Sequence, residues 1–183
     1  VAIDDASLSE YGRTPAESSR ALYGDLAEIV AEGGARVLAF DLIFSESSAQ
    51  DSEFAQSLQN VRESDARTRI ILSGAGVQVP STDLINPDFP HGLHYADAFI
   101  PNSTLRQHAD YLGYVNAFPD VDGRLRRQPS LIEVNNQLGF SFNLAIFFSH
   151  CRIPADAIPQ VISAQASSIH LTDTLNLPIA ANR

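Results

Sequence analysis

The first chemistry this sequence offers is a set of carboxylates at structurally suggestive places. Asp4 and Asp5 follow the apolar run Val1-Ala2-Ile3. Asp41 lies within Val37-Leu38-Ala39-Phe40-Asp41-Leu42-Ile43-Phe44. Asp122 belongs to Pro119-Asp120-Val121-Asp122-Gly123, which is followed by Arg124, Arg126 and Arg127. The two apolar runs read as strands carrying an acid at or near the C-terminal end, where open α/β sheets place their ligands. The candidate ligand-binding set is therefore Asp4, Asp5, Asp41 and Asp122 with Arg126 and Arg127, since an arginine fork can pair bidentately with a carboxylate of the protein or of a ligand. The competing role for these residues is an ion-pair network that pins the turn to the sheet.

Tests for catalysis find little to use. A haloacid-dehalogenase-type phosphatase needs a second aspartate two residues after the first, but Ala6 follows Asp4 and Ser7 follows Asp5 at that spacing. Gly74-Ala75-Gly76 lacks the third glycine of a dinucleotide fingerprint, which would fall at Val79. Counting a calcium loop from Asp120 puts Leu131 where the bidentate glutamate should stand. His91, His94 and His108, with Asp97 between them, could gather around a divalent ion, but their spacing matches no established ligand pattern. No Gly-x-Ser-x-Gly elbow occurs. The absence of lysine excludes Schiff-base chemistry, and the single cysteine, Cys151, excludes an intrachain disulfide or a cysteine-rich zinc site. These residues point to a site that recognises rather than reacts, with no catalytic residue, metal or cofactor assigned. The alternative is a metal-dependent α/β hydrolase using the strand-end aspartates, and a third possibility is a structural spacer.

Composition bounds the partners. Twelve basic residues against 22 acidic ones give a net charge of -10, which disfavours nucleic acid and anionic membrane surfaces. A chain of 183 residues fits one domain with a core of its own. No apolar run approaches the roughly 20 residues of a membrane helix, and no signal-peptide pattern is present. The chain opens inside an apparent strand and closes after another β-like run, so it reads as a fragment of a longer protein.

Several elements must position the candidate residues. Thr14-Pro15-Ala16-Glu17 has the N-cap, first-turn proline and following glutamate of a helix start. Leu22, Leu26, Ile29 and Val30 then mark an apolar face, and Gly33-Gly34 ends the helix ahead of a central strand, Val37 to Phe44. A second helix is expected from Asp51 to about Val61 and a third strand from Arg69 to Ser73. Residues 79–110 read as an ordered excursion of short elements, interrupted by Pro80, Pro87, Pro90 and Pro101. Leu112 to Ala117 and Arg124 to Val134 are expected to form an antiparallel hairpin around the Asp122-Gly123 turn. Ser141 to His150 reads as a buried helix and Ser168 to Thr172 as a strand. The expected class is α/β: a mainly parallel central sheet flanked by helices, with an antiparallel hairpin added in the second half.

With these segments placed, the chain resembles the second type of CHASE domain. The likeness is carried by Asp4-Asp5-Ala6-Ser7-Leu8, Gly12-Arg13-Thr14-Pro15, Gly34-Ala35 leading into Phe40-Asp41-Leu42-Ile43-Phe44, Asp51 with Phe54, Ala55 and Leu58, and Gly113-Tyr114-Val115-Asn116 through Arg126-Arg127. It runs from Val1 to about Phe148, and the later glycine-containing strand with which such domains finish is expected to lie beyond the chain. The resemblance implies an extracytoplasmic sensory domain of a bacterial inner-membrane receptor, with no enzymatic activity of its own. It also implies a histidine kinase or nucleotide cyclase output, an unidentified small-molecule ligand, and homodimerisation through flanking transmembrane helices.

Overall fold

The computed structural model describes residues 4–11, 20–64, 67–77, 93–117, 119–126, 128–135, 137–154, 168–172 and 175–178. The expected strand at Val1 to Ile3 and the helix entry at Thr14-Pro15 lie outside these residues. The chain divides into two compact units, residues 1–73 with 100–110 and residues 74–99 with 111–183.

The first unit is built on a β-α-β frame. Helix α1 spans Asp5–Tyr11, α2 Arg20–Glu32, β1 Val37–Phe40 and α3 Asp51–Glu63, followed by the first half of β2 (Arg69–Val77) and the short α4 (Ser103–Arg106). Strands β1 and β2 pair in parallel, from Val37 opposite Arg69 to Phe40 opposite Leu72. The glycine stop after α2 forms as its sequence requires: Gly33 N–H donates to Ile29, and Gly34 adopts a φ of 82° that suits a residue without a side chain.

Two expectations are corrected here. The buried face of α2 is Tyr23, Gly24, Ala27 and Ala31, whereas Ile29, expected on the apolar face, is exposed. Small residues bring α2 close to α3: a Cβ on Gly24 would lie 2.8 Å from the Ser57 hydroxyl. The strand expected over Val37 to Phe44 stops at Phe40 and, among the described strands, ends the sheet rather than occupying its centre. Beyond it the backbone turns to other partners, with the Phe44 carbonyl accepting from the Asn102 N–H at 3.0 Å and the Glu46 carbonyl from Arg20 at 2.6 Å.

The core of this unit is aromatic. Tyr23, Phe40, Phe44 and Phe54 meet mostly edge-on or tilted, with ring centroids 5.3 to 6.4 Å apart. Leu58, Val61, Ile70, Leu72 and Leu105 complete the buried cluster. At its rim Asp51, the first residue of α3, is buried and accepts hydrogen bonds from the Arg20 guanidinium, the Ser48 N–H (2.8 Å) and the Asn102 amide (3.0 Å). Arg20 in turn lies over the Phe44 ring, 5.4 Å from its centroid.

The second unit holds the rest of β2 together with β3 (Leu93–Tyr95), β4 (Asp97–Phe99), β5 (Tyr111–Tyr114), β6 (Leu131–Val134), β7 (Gln137–Ser141), α5 (Phe142–Cys151), β8 (Ser168–Thr172) and β9 (Leu175–Pro178). The hydrogen-bonded order runs β2-β5-β7-β6-β3, with β4 pairing β2, and β8 and β9 form a separate antiparallel pair. The excursion thus contains short elements, though its residues 79–92 lie outside those described.

The expected hairpin is corrected too. Strands β5 and β6 are not neighbours: β7 lies between them, parallel to β5 and antiparallel to β6. The reversal that makes the antiparallel pair is at Asn135, whose φ of 51° suits the turn tolerance of asparagine. Pro119 to Gly123 does form a tight turn, closed by the Asp120 N–H to Arg124 and the Gly123 N–H to Asp120, but residues 124–126 leave it without joining a strand. Helix α5 starts directly from β7, with the Ser141 hydroxyl capping the Leu144 N–H. It packs so closely on β5 that a Cβ on Gly113 would lie 2.7 Å from Phe142 Cα. Parallel pairing at β1·β2, β3·β6 and β5·β7, antiparallel pairing at β6·β7 and β2·β4, and flanking helices make this the α/β class expected.

Urea denaturation checks this packing. Phe54→Ala is expected to cost about 3–5 kcal/mol by opening a cavity among the rings. Gly113→Val is expected to cost about 1–3 kcal/mol by forcing β5 from α5. Asp51→Ala, which strands the Arg20 cation, should cost about 3–5 kcal/mol, whereas exposed Ile29→Ala should stay within about 0.5 kcal/mol.

Candidate functional site

The structure gives each candidate residue a distinct local setting. Asp4 precedes α1 and caps it, its Oδ1 accepting from the Ser7 N–H at 2.9 Å and the Ser7 hydroxyl at 2.8 Å. These bonds, the backbone one foremost, hold its carboxyl below the usual carboxylate range. Asp5 is the first residue of α1 and exposed, so it opens a helix rather than closing a strand. Asp41 is also exposed and is the first residue beyond the C-terminal end of β1.

Asp122 and Arg126 are brought together by the turn itself. Arg126 reaches both Asp122 oxygens, at 2.8 and 2.7 Å, and extends to Asp120 at 3.1 Å. This is the bidentate fork that the sequence suggested, made within one turn. The Arg126 guanidinium, and then the Arg124 N–H, hold the Asp122 carboxyl below its usual range, while Asp122 and Asp120 raise Arg126. Arg127 lies outside the described residues. Val121 and Leu125 stand exposed on the same turn.

Sequence reasoning missed a buried polar set in the second unit. Asn116, just past β5, uses its side chain as a surrogate strand: its oxygen accepts from the Gly76 N–H at 2.7 Å and its amide donates to the Gly76 carbonyl at 2.9 Å. Tyr95 lies flat against Gly76, where a Cβ would come within 2.5 Å of the ring. The Tyr95 hydroxyl is buried near the Asn116 side chain without a hydrogen bond of normal geometry. Burial raises the phenol above its usual value, and Asn116 moderates the rise. His94 and Glu133 are register partners on β3 and β6, with Nδ1 and Oε1 3.6 Å apart. The available signal was Glu133 inside an expected strand, where charged residues are seldom buried unless paired, whereas His94 falls in the excursion, which has no strand period.

Of the histidines considered for a metal, His91 lies outside the described residues. Among the described residues no three His, Cys, Asp or Glu side chains gather to hold an ion, and no helix is long and apolar enough to cross a membrane.

The Asp122–Arg126 fork has a pH consequence. Its folded pKa is depressed, so the carboxylate's contribution is present above the ordinary value of 3.8 and is lost as pH falls through the lower folded value. Arg126→Ala should return the Asp122 titration toward the ordinary range and speed amide exchange in the turn, as carboxyl-carbon NMR and hydrogen exchange would show. An unmoved Asp122 titration would contradict the pairing.

No curated protein matches the chain, and no solved structure does. The family model of the CHASE2 domain matches residues 1–182, well past Phe148, where the motif likeness fades. A match running the length of the chain makes it a member of the CHASE2 family, the sensory extracellular domains of signalling receptors.

Proposed function

We propose that the chain is the extracytoplasmic ligand- or stress-sensing input domain of a bacterial transmembrane receptor with a histidine kinase or nucleotide cyclase output. The observation that carries this reading is the family match over residues 1–182. In this reading the domain itself is not an enzyme, and the receptor is tethered to the inner membrane as a homodimer through flanking transmembrane helices. A small molecule that binds one arrangement better than another shifts the balance, and moving it from 1:99 to 99:1 takes about 5.5 kcal/mol of differential affinity.

The local chemistry supports recognition over hydrolysis. Asp4 Oδ1 holds both Ser7 donors and both Asp122 oxygens hold Arg126, so each of these carboxylates already has a local structural partner. Asp41 and Asp5, both exposed, remain open to a ligand in this reading, and a ligand carboxylate competes with Asp122 and Asp120 for the Arg126 fork.

Two measurements on the full-length receptor test the proposal. Cys151 is exposed, so a membrane-impermeant maleimide should label intact spheroplasts at this residue and not in Cys151→Ser; labelling only after lysis would overturn the localisation. Arg126→Ala and Asp41→Asn should leave the circular dichroism of the domain unchanged and alter the output activity of the receptor. Unchanged output in both variants would remove these residues from the sensing site.

A further inference from the structure

The first unit contains a concentration of cations that neither the family match nor the aspartate set accounts for. A groove of about 440 Å³ at the C-terminal end of α3 and the start of β2 is lined by Arg62, Arg67 and Arg69, with Glu63, Gln59 and Asp110 beside them. Three guanidiniums against two carboxylates make this groove locally positive in a chain whose net charge is -10.

Both carboxylates are already engaged. One Asp110 oxygen takes Arg69 at 2.6 Å and Arg62 at 3.8 Å, while the other accepts the Ile70 N–H at 2.8 Å. The Asp110 side chain is only 6% exposed and acts as a fixed post that draws two like charges to one oxygen. Glu63 accepts from the Gln59 amide at 2.8 Å. Arg67 makes no ion pair among the described residues, is exposed, and is held at a φ of 51°, a left-handed conformation uncommon for a residue with a long side chain. Among the described residues the ion pair of Arg62 is its long contact to Asp110, which leaves much of the donor capacity of both forks unspent there. The positive field also registers nearby: burial first and Arg62 second hold the His108 imidazole below its ordinary value, with Glu63 opposing.

The geometry points to a binding site for a small oxyanion, a phosphate or carboxylate group, held by Arg62 and Arg67 with Arg69 fixed behind them by Asp110. Planar forks suit such groups because they offer paired N–H donors at the spacing of two oxygens. The Arg charges also offset the partial negative charge at the C-terminal end of α3. This inference is separate from the sensing role, and its test needs neither a receptor nor an output.

The chain is titrated with inorganic phosphate and, separately, with succinate, followed by calorimetry and by amide chemical shifts of residues 59–69 and 110. Saturable binding is expected, weakened about tenfold in Arg67→Asn, which tolerates the left-handed backbone, and in Arg62→Gln, and unchanged in Arg106→Gln, an exposed arginine outside the groove. Binding of phosphate alone assigns the site to phosphoryl groups, and binding of succinate assigns it to carboxylates. No saturable binding of either anion overturns the proposal, as does binding that Arg67→Asn leaves intact. If Arg62→Gln fails to fold, Arg67→Asn decides alone.

Discussion

The Asp51 carboxylate is the constraint on which the first unit depends. Buried at the head of α3, it is the common acceptor for the guanidinium that begins α2, the backbone that enters α3 and the amide that begins α4. A buried charge is tolerable only when its hydrogen-bonding capacity is filled, and here three chain segments must converge to fill it. The same arginine covers Phe44, so polar closure and aromatic packing share a residue. The rings of Tyr23, Phe40, Phe44 and Phe54 supply the non-directional attraction, and Asp51 selects which arrangement of those segments is accepted.

Much of this frame was legible in the sequence because it rests on local rules. Gly33-Gly34 ended a helix, an acidic residue opened α3 at Asp51, and Ser141 capped α5 where a polar residue precedes an aromatic run. Strand order was not legible. The turn at Asp122-Gly123 has strong hairpin chemistry, yet the reversal that builds the sheet uses Asn135, and β7 pairs on one side with the adjacent β6 and on the other with β5, more than 20 residues earlier. Turn propensity reports local geometry, whereas pairing depends on which faces find partners after collapse. The face of α2 was misread for a related reason: a hydrophobic scale favours Ile29 over Gly24, although close helix contact rewards the smaller residue.

The candidate site was legible residue by residue more than as a constellation. The pairing of Arg126 with Asp122 follows from their spacing of four and the turn between them. The cap at Asp4 follows from a serine three positions later. Asn116 standing in for a strand, and Asp110 gathering arginines from α3 and β2, depend on contacts 40 or more residues apart in the chain. Such contacts leave no periodicity to read. The groove also combines residues that are individually ordinary for a helix end and a strand start.

The junction between β7 and α5 has no slack. Ser141 is at once the last strand residue, paired opposite Tyr114, and the cap of the helix that follows. Strand side chains alternate in steps of one residue while helix side chains rotate by about 100°. Deleting or inserting a single residue here would therefore present the wrong face of the strand and swing the helix to the wrong azimuth at the same time. Length variation in this half of the domain should accumulate in its turns and be purged from this seam.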